Sequence, residues 1–239
     1  MIINHSSRHM SELEDKSIQC IITSPPYPMI QKWDKCFTEQ GVVSFEDIHE
    51  TLFKDILAEC HRVLIPGGIM SINIGDATRT INKNFVCYPN YAFIIYNCMQ
   101  IGFNPLVPII WKKISNRPNA FLGSGFLPVN AYVSQDCEFI AIFKKGEKRE
   151  FKADEKLRRE LSKFSKDQRD VWYSQIWTIR GERGAGKTSA WPIEIFYRLM
   201  RMYSIIGDTI LDPFCDGGID EEQLCKNWGR AYIGYTINN

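Results

Sequence analysis

The chain has 239 residues and a mass of 27.7 kDa, is 44% hydrophobic and carries a formal net charge of +1, which is typical of a soluble globular protein. It contains neither the roughly 20 consecutive apolar residues of a membrane span nor the apolar stretch of a secretory signal, so we expect a cytoplasmic protein without a membrane partner. Its eight cysteines include no Cys-x-x-Cys pair, which argues against a zinc site or a disulfide framework, and we expect no bound metal.

Hydrophobic periodicity predicts strands that alternate with helices. In chain order, the predicted elements are a strand at 18–23, helix at 44–64, strand at 68–74, helix at 90–101, strands at 105–111 and 137–143, helix within 144–169, helix from Pro192, strand at 209–211, a short helix, and a strand at 231–237. The helix at 44–64 has the strongest support, because Ser44 and Asp47 resemble a capping box before a regular apolar face. The alternation is typical of an open α/β sheet whose ligands bind at the carboxyl ends of its strands.

A stiff loop, Ser24-Pro25-Pro26-Tyr27, follows the first predicted strand. The two prolines lack an N–H and have a fixed φ, so the loop presents carbonyl oxygens without competing donors. An amino group on a nucleobase is a poor nucleophile, because its lone pair is shared with the ring. Acceptors from Ser24 and the Pro25 carbonyl could return that lone pair to nitrogen while Tyr27 stacks on a flipped base. An ordinary proline-rich turn with a packed tyrosine explains the same residues equally well.

Basic residues are concentrated between Lys144 and Arg169, where eleven basic and six acidic side chains give a local balance of +5. A solvated helical face and a surface for nucleic acid both account for this pattern. The candidate contacts with DNA, in this segment and the connector after it, are Lys144, Lys145, Arg158, Arg159, Arg180, Arg183 and Lys187.

The connector at 181–188 reads GERGAGKT and matches the phosphate-loop template of triphosphate-binding proteins. Its context does not fit, because Pro192 would break the helix that must begin at Lys187. Only about 50 residues then remain for most of a nucleotide-binding sheet. A triphosphate hydrolase is therefore the least favoured hypothesis, and we interpret the segment as a basic, glycine-rich connector.

The order of two loops resembles that of the permuted beta group of SAM-dependent DNA amino-methyltransferases, in which an S/D-P-P-Y loop comes first and a D-P-F cofactor loop comes late. Thr23-Ser24-Pro25-Pro26-Tyr27 and Asp212-Pro213-Phe214 match these motifs. The segments LIPGGIMSINIGD, IIWKK, EFIAIFKKG and IWTI resemble the connecting parts of the family, so the likeness spans nearly the whole chain. Serine before Pro-Pro is similar to the cytosine-N4 branch.

This resemblance implies an α/β, Rossmann-like methyltransferase fold with a mostly parallel sheet and a circularly permuted motif order. It implies a catalytic half at 1–111, a target-recognition region at 112–190 that includes the strand at 137–143, and a cofactor-binding half at 191–239. The implied function is methyl transfer from S-adenosylmethionine (SAM) to the N4 amino group of cytosine in duplex DNA. Adenine N6 is the less favoured target. The implied partners are DNA and a cognate restriction endonuclease, and the enzyme would be a monomer or a homodimer.

The same resemblance assigns roles to individual residues. The catalytic residues would be Ser24, Pro25, Pro26 and Tyr27. The residues that bind SAM would be Ser6, Asp212, Pro213, Phe214, Asp216, Gly217, Gly218 and Thr236. Asp216 stands where the family has a glycine, while Thr236 and Ser6 stand where it has acids for the ribose and the adenine. These departures raise the alternative that the chain is a DNA-binding homologue with impaired SAM binding.

Overall fold

The structure, a computed structural model, describes residues 1–114, 122–181, 191–215 and 217–236. The strands are β1 (Ile2–Ile3), β2 (Ile18–Thr23), β3 (Leu64–Ile74), β4 (Ala77–Ile81), β5 (Asn84–Tyr88), β6 (Phe103–Pro105), β7 (Ile109–Ile114), β8 (Leu122–Gly123), β9 (Ala131–Tyr132), β10 (Cys137–Lys145), β11 (Ile176–Arg180), β12 (Thr209–Asp212) and β13 (Ala231–Tyr235). The α-helices are α1 (Asp34–Glu39), α2 (Phe45–Asp47), α3 (Lys54–Val63), α4 (Asn90–Ile101), α5 (Ala153–Leu161), α6 (Lys166–Trp172), α7 (Ile193–Tyr203) and α8 (Ile219–Asn227).

Nine of the strands within the described ranges form one sheet, ordered β1-β13-β12-β2-β3-β10-β7-β11, with β6 paired to β10. The strands from β1 to β3 in this order are parallel to one another, as are β7 and β11. β10 runs antiparallel to its neighbours β3, β6 and β7. The predicted α/β fold with a mostly parallel sheet is therefore confirmed.

The direction of β10 decides which of its residues lie near the predicted site. We call the edge where β2, β3 and β12 end the carboxyl edge, and the opposite one the amino edge. Because β10 is antiparallel to β3, Glu138 lies at the carboxyl edge and Lys144 at the amino edge. β7 and β11 run in the same direction as β3, so they end at the carboxyl edge.

Apolar residues cover both faces of the sheet, which explains the continuous apolar run of β2. Ile21 packs into a cluster with the helices around α3 and α4, whereas Ile22 packs on the opposite face against α7. At the start of the predicted helix, the N–H of Asp47 donates a 3.0 Å hydrogen bond to Ser44 Oγ, as the capping pattern predicts. The helix continues to Val63 through a π-helical segment, Ile48–Phe53, that the sequence did not predict.

Other element predictions are confirmed with small shifts at their ends. The helix predicted at 90–101 is α4, and α7 begins one residue after Pro192, which is its N-cap. The single helix predicted within the basic segment is two helices, α5 and α6. The β4–β5 hairpin was not predicted, because its turn residues Asn82 and Lys83 adopt positive φ without a glycine to mark the turn.

Two further observations concern the described residues as a whole. None of their helices combines the length and the apolar character needed to cross a bilayer. β10 and β11, which belong to the predicted target-recognition region, are part of the main sheet. The proposed region at 112–190 therefore contributes to the central fold as well as to any surface for DNA.

Candidate active site

The two predicted loops leave the sheet side by side. β12 pairs with β2 in parallel, so the chain after Thr23 and the chain after Asp212 emerge at the same carboxyl edge. The Thr23 hydroxyl donates a 2.5 Å hydrogen bond to Asp212 Oδ1, which joins strand ends that are 189 residues apart in the chain. The loops therefore converge as the family resemblance implies.

The carboxylate of Asp212 holds the second loop in place. It accepts the N–H of Phe214 at 3.0 Å and the hydroxyl of Tyr232 at 3.3 Å, in addition to the bond from Thr23. Burial raises the pKa of Asp212 to about 7, against the effect of the Thr23 and Phe214 hydrogen bonds. Asp212 is not among the residues that line the cleft beside it. Asp212 therefore positions Phe214 in this structure, and its contact with SAM remains a prediction.

A cleft opens between the two loops and contains about 800 Å³ of empty space, including its open mouth. Its apolar wall comes from Trp33, Phe37, Leu52 and Ile56. The sequence did not indicate this wall, because it is built from α1 and the neighbouring helices, which carry no motif.

Most of the predicted site residues meet in this cleft. The first loop contributes Ser24, Pro25 and Pro26, and the second contributes Pro213 and Phe214. The polar part of the lining consists of His5, Ser6, Ser7, Gln40 and Thr236. Among the described residues that line the cleft, none is a carboxylate. The two positions where the family has acids, Ser6 and Thr236, are therefore both in the cleft.

The glycines of the second loop lie beside the cleft and not in its described lining. Gly218 has a φ of +58°, and a Cβ there would lie 2.5 Å from Cys215 Sγ, so a larger residue would disturb the start of α8. Gly217 also has a positive φ, of +81°. Both glycines therefore shape the loop, and their contact with SAM remains a prediction. Asp216 lies outside the described residues.

Tyr27 is not among the residues that line the cleft, and its hydroxyl joins a polar network. The hydroxyl donates a 2.6 Å hydrogen bond to Glu138 Oε2, and the Asn73 amide donates bonds of 2.7 Å to both. Lys113 forms an ion pair with the other oxygen of Glu138. Ser24 Oγ lies 3.5 Å from the Tyr27 hydroxyl. Burial and the charge of Glu138 raise the pKa of Tyr27 well above its usual value, so the phenol keeps its proton.

The backbone after Tyr27 is fixed by the buried side chain of Asn90. Its amide donates to the carbonyls of Pro28 and Gly75 at 3.1 and 3.0 Å, and its oxygen lies 3.1 Å from His49 Nε2. Burial lowers the pKa of His49 to about 4, so the ring is neutral and we assign its hydrogen to Nε2. The loop is therefore tied to the end of β3 by a side chain from α4.

The predicted DNA contacts separate into two groups. Lys144, Lys145, Arg158 and Arg159 lie at or beyond the amino edge. The Lys145 ammonium binds backbone carbonyls, among them that of Leu64 at 2.7 Å, and Arg158 forms a 3.0 Å ion pair with Asp154. These four residues therefore lie on the opposite side of the sheet from the cleft, and their contact with DNA remains a prediction.

Arg180 is placed differently. It ends β11 at the carboxyl edge, next to the last residue of β7, and its side chain is exposed. Arg183 and Lys187 lie outside the described residues, as does most of the GERGAGKT segment. Arg180 is therefore the described member of the predicted set that lies at the carboxyl edge, and its contact with DNA remains a prediction.

The convergence of the two loops at one cleft agrees with the proteins that this chain is similar to. The DNA methylase family matches residues 18–239. The type II methyltransferase M.MjaI of Methanocaldococcus jannaschii is 45% identical and aligns with 99% of this chain and 86% of its own length. M.MthZI of Methanothermobacter thermautotrophicus, also a type II methyltransferase, is 42% identical over 98% of this chain and 72% of its own. The structure of TTHA0409 from Thermus thermophilus, complexed with S-adenosyl-L-methionine, has a TM-score of 0.78 and 26% identity, and covers 99% of this chain and 87% of that one. The chain therefore belongs to the DNA methylase family that comprises the N6 and N4 methyltransferases.

Proposed function

We propose that this DNA methyltransferase transfers the methyl group of SAM to the N4 amino group of cytosine in duplex DNA. The observation that carries the proposal is the cleft shared by the Ser24-Pro25-Pro26 loop and the Pro213-Phe214 loop. Membership of the family supports an amino group of a base as the acceptor. Serine before Pro-Pro favours cytosine over adenine.

The cleft is suited to SAM, which supplies an electrophilic methyl group on a positively charged sulfur. The apolar wall around Trp33 and Phe37 suits a purine ring, and the hydroxyl and amide groups of Ser6, Gln40 and Thr236 suit a ribose and an amino acid. The similar protein TTHA0409 was solved in complex with this cofactor. We therefore favour an active enzyme over a homologue that has lost SAM.

The first loop would activate the target base. The base must leave the helix, because its amino group is paired inside the duplex. Ser24 Oγ and the Pro25 carbonyl would accept the two amino hydrogens, which returns the lone pair to nitrogen. The Tyr27 ring would stack on the base while its hydroxyl stays bonded to Glu138.

The setting we propose is restriction and modification. M.MjaI and M.MthZI are both named type II methyltransferases. A cognate endonuclease that recognises the same DNA sequence would then be a separate partner of this protein.

Methylation of mixed-sequence duplexes with radiolabelled SAM tests the proposal. Digestion of the product to nucleosides is expected to show N4-methylcytosine by mass spectrometry. Label in N6-methyladenine instead would correct the choice of base. Absence of label at saturating SAM, together with no heat of SAM binding in calorimetry, would favour the DNA-binding homologue.

The position of the basic residues predicts which of them contact DNA. Arg180→Gln is expected to weaken binding to all duplexes alike and to lower the slope of log affinity against log salt by about 1, because one phosphate contact is lost. Fluorescence anisotropy at several salt concentrations measures both effects. Arg159→Gln, the same change beyond the amino edge, serves as the control and should leave the slope unchanged. Equal losses in the two variants would contradict the placement of DNA at the carboxyl edge.

A further inference from the structure

We propose that Glu138 is the terminal proton acceptor of the methylation reaction and acts on the target amino group through Tyr27 and Ser24. This inference rests on the proposed function, because an amino nitrogen that gains a methyl group must lose a proton. Glu138 itself does not face the cleft. Its role is therefore to position Ser24 and Tyr27 and to take up the proton that they pass on.

The three side chains follow one another from the cleft into the sheet, and the long contact between Ser24 and Tyr27 must shorten for a proton to pass. Ser24 lines the cleft, and its Oγ lies 3.5 Å from the Tyr27 hydroxyl. The Tyr27 hydroxyl is 2.6 Å from Glu138 Oε2. Glu138 is 8% exposed and its second oxygen is paired with Lys113, whose side chain is 39% exposed. The path therefore begins at the reacting atoms and ends at a carboxylate close to solvent.

The chemistry of the donors fixes the direction of the path. A carboxylate only accepts hydrogen bonds, so Tyr27 uses its one hydrogen on Glu138. The Asn73 amide donates to both groups and reinforces this arrangement. The Tyr27 oxygen can then only accept from Ser24, which uses the one hydrogen of the serine. The lone pairs of Ser24 Oγ are left to face the amino group of the base.

Proton transfer along this path balances with the methyl transfer. The nitrogen lone pair forms the new N–C bond, and the electron pair of the broken C–S bond stays on sulfur. One N–H proton moves to Ser24 Oγ, and its electron pair stays on nitrogen. Ser24 passes its own hydroxyl proton to Tyr27, and Tyr27 passes its proton to Glu138. Ser24 and Tyr27 end unchanged, and protonated Glu138 later releases the proton to water near Lys113.

The residues around Tyr27 and Glu138 hold these two side chains in position. Gly75 lies against it, since a Cβ at this position would be 3.1 Å from both the Tyr27 ring and Glu138 Cγ. The Gly75 carbonyl is in turn bound by the buried amide of Asn90. The Lys113 ion pair compensates the charge of a carboxylate that is otherwise enclosed. A side chain at position 75 would therefore press on both Tyr27 and Glu138.

Glu138→Gln tests the inference, because glutamine keeps the shape of the side chain but accepts no proton. We expect the single-turnover rate of methyl transfer to fall about 100-fold, within the range of roughly 10²–10⁴ that acid–base groups contribute. The rate of the variant should rise with pH and with added formate, because an external base then takes the proton. Wild-type protein should show neither dependence between pH 7 and pH 9. Glu160→Gln, an exposed residue of α5, is the matched control and should behave as wild type.

Two measurements besides activity separate this role from a structural one. SAM affinity is measured by calorimetry, and base extrusion by the fluorescence of a cytosine analogue such as pyrrolocytosine at the target position. Both should remain within twofold of wild type. Tyr27→Phe keeps the ring but breaks the path, so it should give the same loss and the same pH dependence. The double variant should lose no more than either single variant, because both changes interrupt one path.

A wild-type rate or an unchanged pH profile in Glu138→Gln would overturn the inference. If Glu138→Gln does not fold, Tyr27→Phe provides the test instead. A wild-type rate of methyl transfer in Tyr27→Phe would likewise overturn the inference. The proposed function is tested separately by the wild-type protein. The ratio of variant to wild-type rate can be measured on whichever base accepts the methyl group. If that base is adenine and not cytosine, the proposed function is corrected, but the test of Glu138 still applies.

Discussion

Asp212→Asn is expected to make the protein more stable at pH 8, by about 4–5 kcal/mol. The pKa of Asp212 is raised from 3.8 to about 7 by burial, so the native state binds a proton that the unfolded state releases between these values. The stability associated with this proton is complete below about pH 4 and is lost as the pH rises to about 7. Each pKa unit corresponds to about 1.4 kcal/mol, which gives the expected size.

Denaturant unfolding of both proteins between pH 4 and pH 9 measures this difference. The difference in free energy of unfolding between variant and wild type should increase with rising pH and become constant above about pH 8. Thr23→Val is a suitable control, because it removes the strongest hydrogen bond to Asp212 without removing its charge. An equal difference in free energy of unfolding at pH 5 and pH 8 would show that the substitution does not act through the buried charge.

Ser24→Ala is expected to lower kcat by about 10²–10³, the usual loss when one polar group that stabilises a transition state is removed. The amino group would lose one of its two acceptors, and the path to Glu138 would lose its first member. Ser24 lies in the wall of a cleft that has many other contacts, so SAM affinity should change little. Steady-state methyl transfer and calorimetry with SAM measure the two quantities.

Ser17→Ala provides the comparison for this variant. Ser17 lies just before β2, at the amino edge, and its hydroxyl donates a 2.7 Å hydrogen bond to the Glu14 carbonyl. Its removal should leave kcat unchanged. A similar loss of kcat in both variants, or a weakened SAM affinity that accounts for the loss in Ser24→Ala, would contradict the role assigned to Ser24.

The sequence predicted the fold best where local patterns and packing agree. β2, α4 and β10 have apolar runs or faces that match their burial on the sheet, so their ranges came close to the observed ones. The paired loops were found because Pro-Pro and Asp-Pro-Phe are rare local patterns with a chemical meaning. Their convergence then followed from the rule that parallel strands end at one edge.

Tertiary placement explains most of what the sequence did not predict. The basic segment follows β10, and only the antiparallel direction of that strand sends it to the amino edge. Periodicity contains no information about strand direction. Glu138 was treated as part of an apolar strand, although a lone carboxylate among apolar neighbours was a signal that it has a partner. Lys113 and Tyr27 could not be identified as those partners before the strands were arranged in order.

The pairing of β2 with β12 has a consequence for synthesis on the ribosome. β2 is complete after residue 23, but the strand that covers one of its sides is not made until residue 212. Throughout that interval the growing chain has an uncovered strand edge, a feature that promotes association between nascent chains. A product that terminates before β12 would have the first loop without its neighbour, so premature termination should yield inactive protein and not a weakened enzyme.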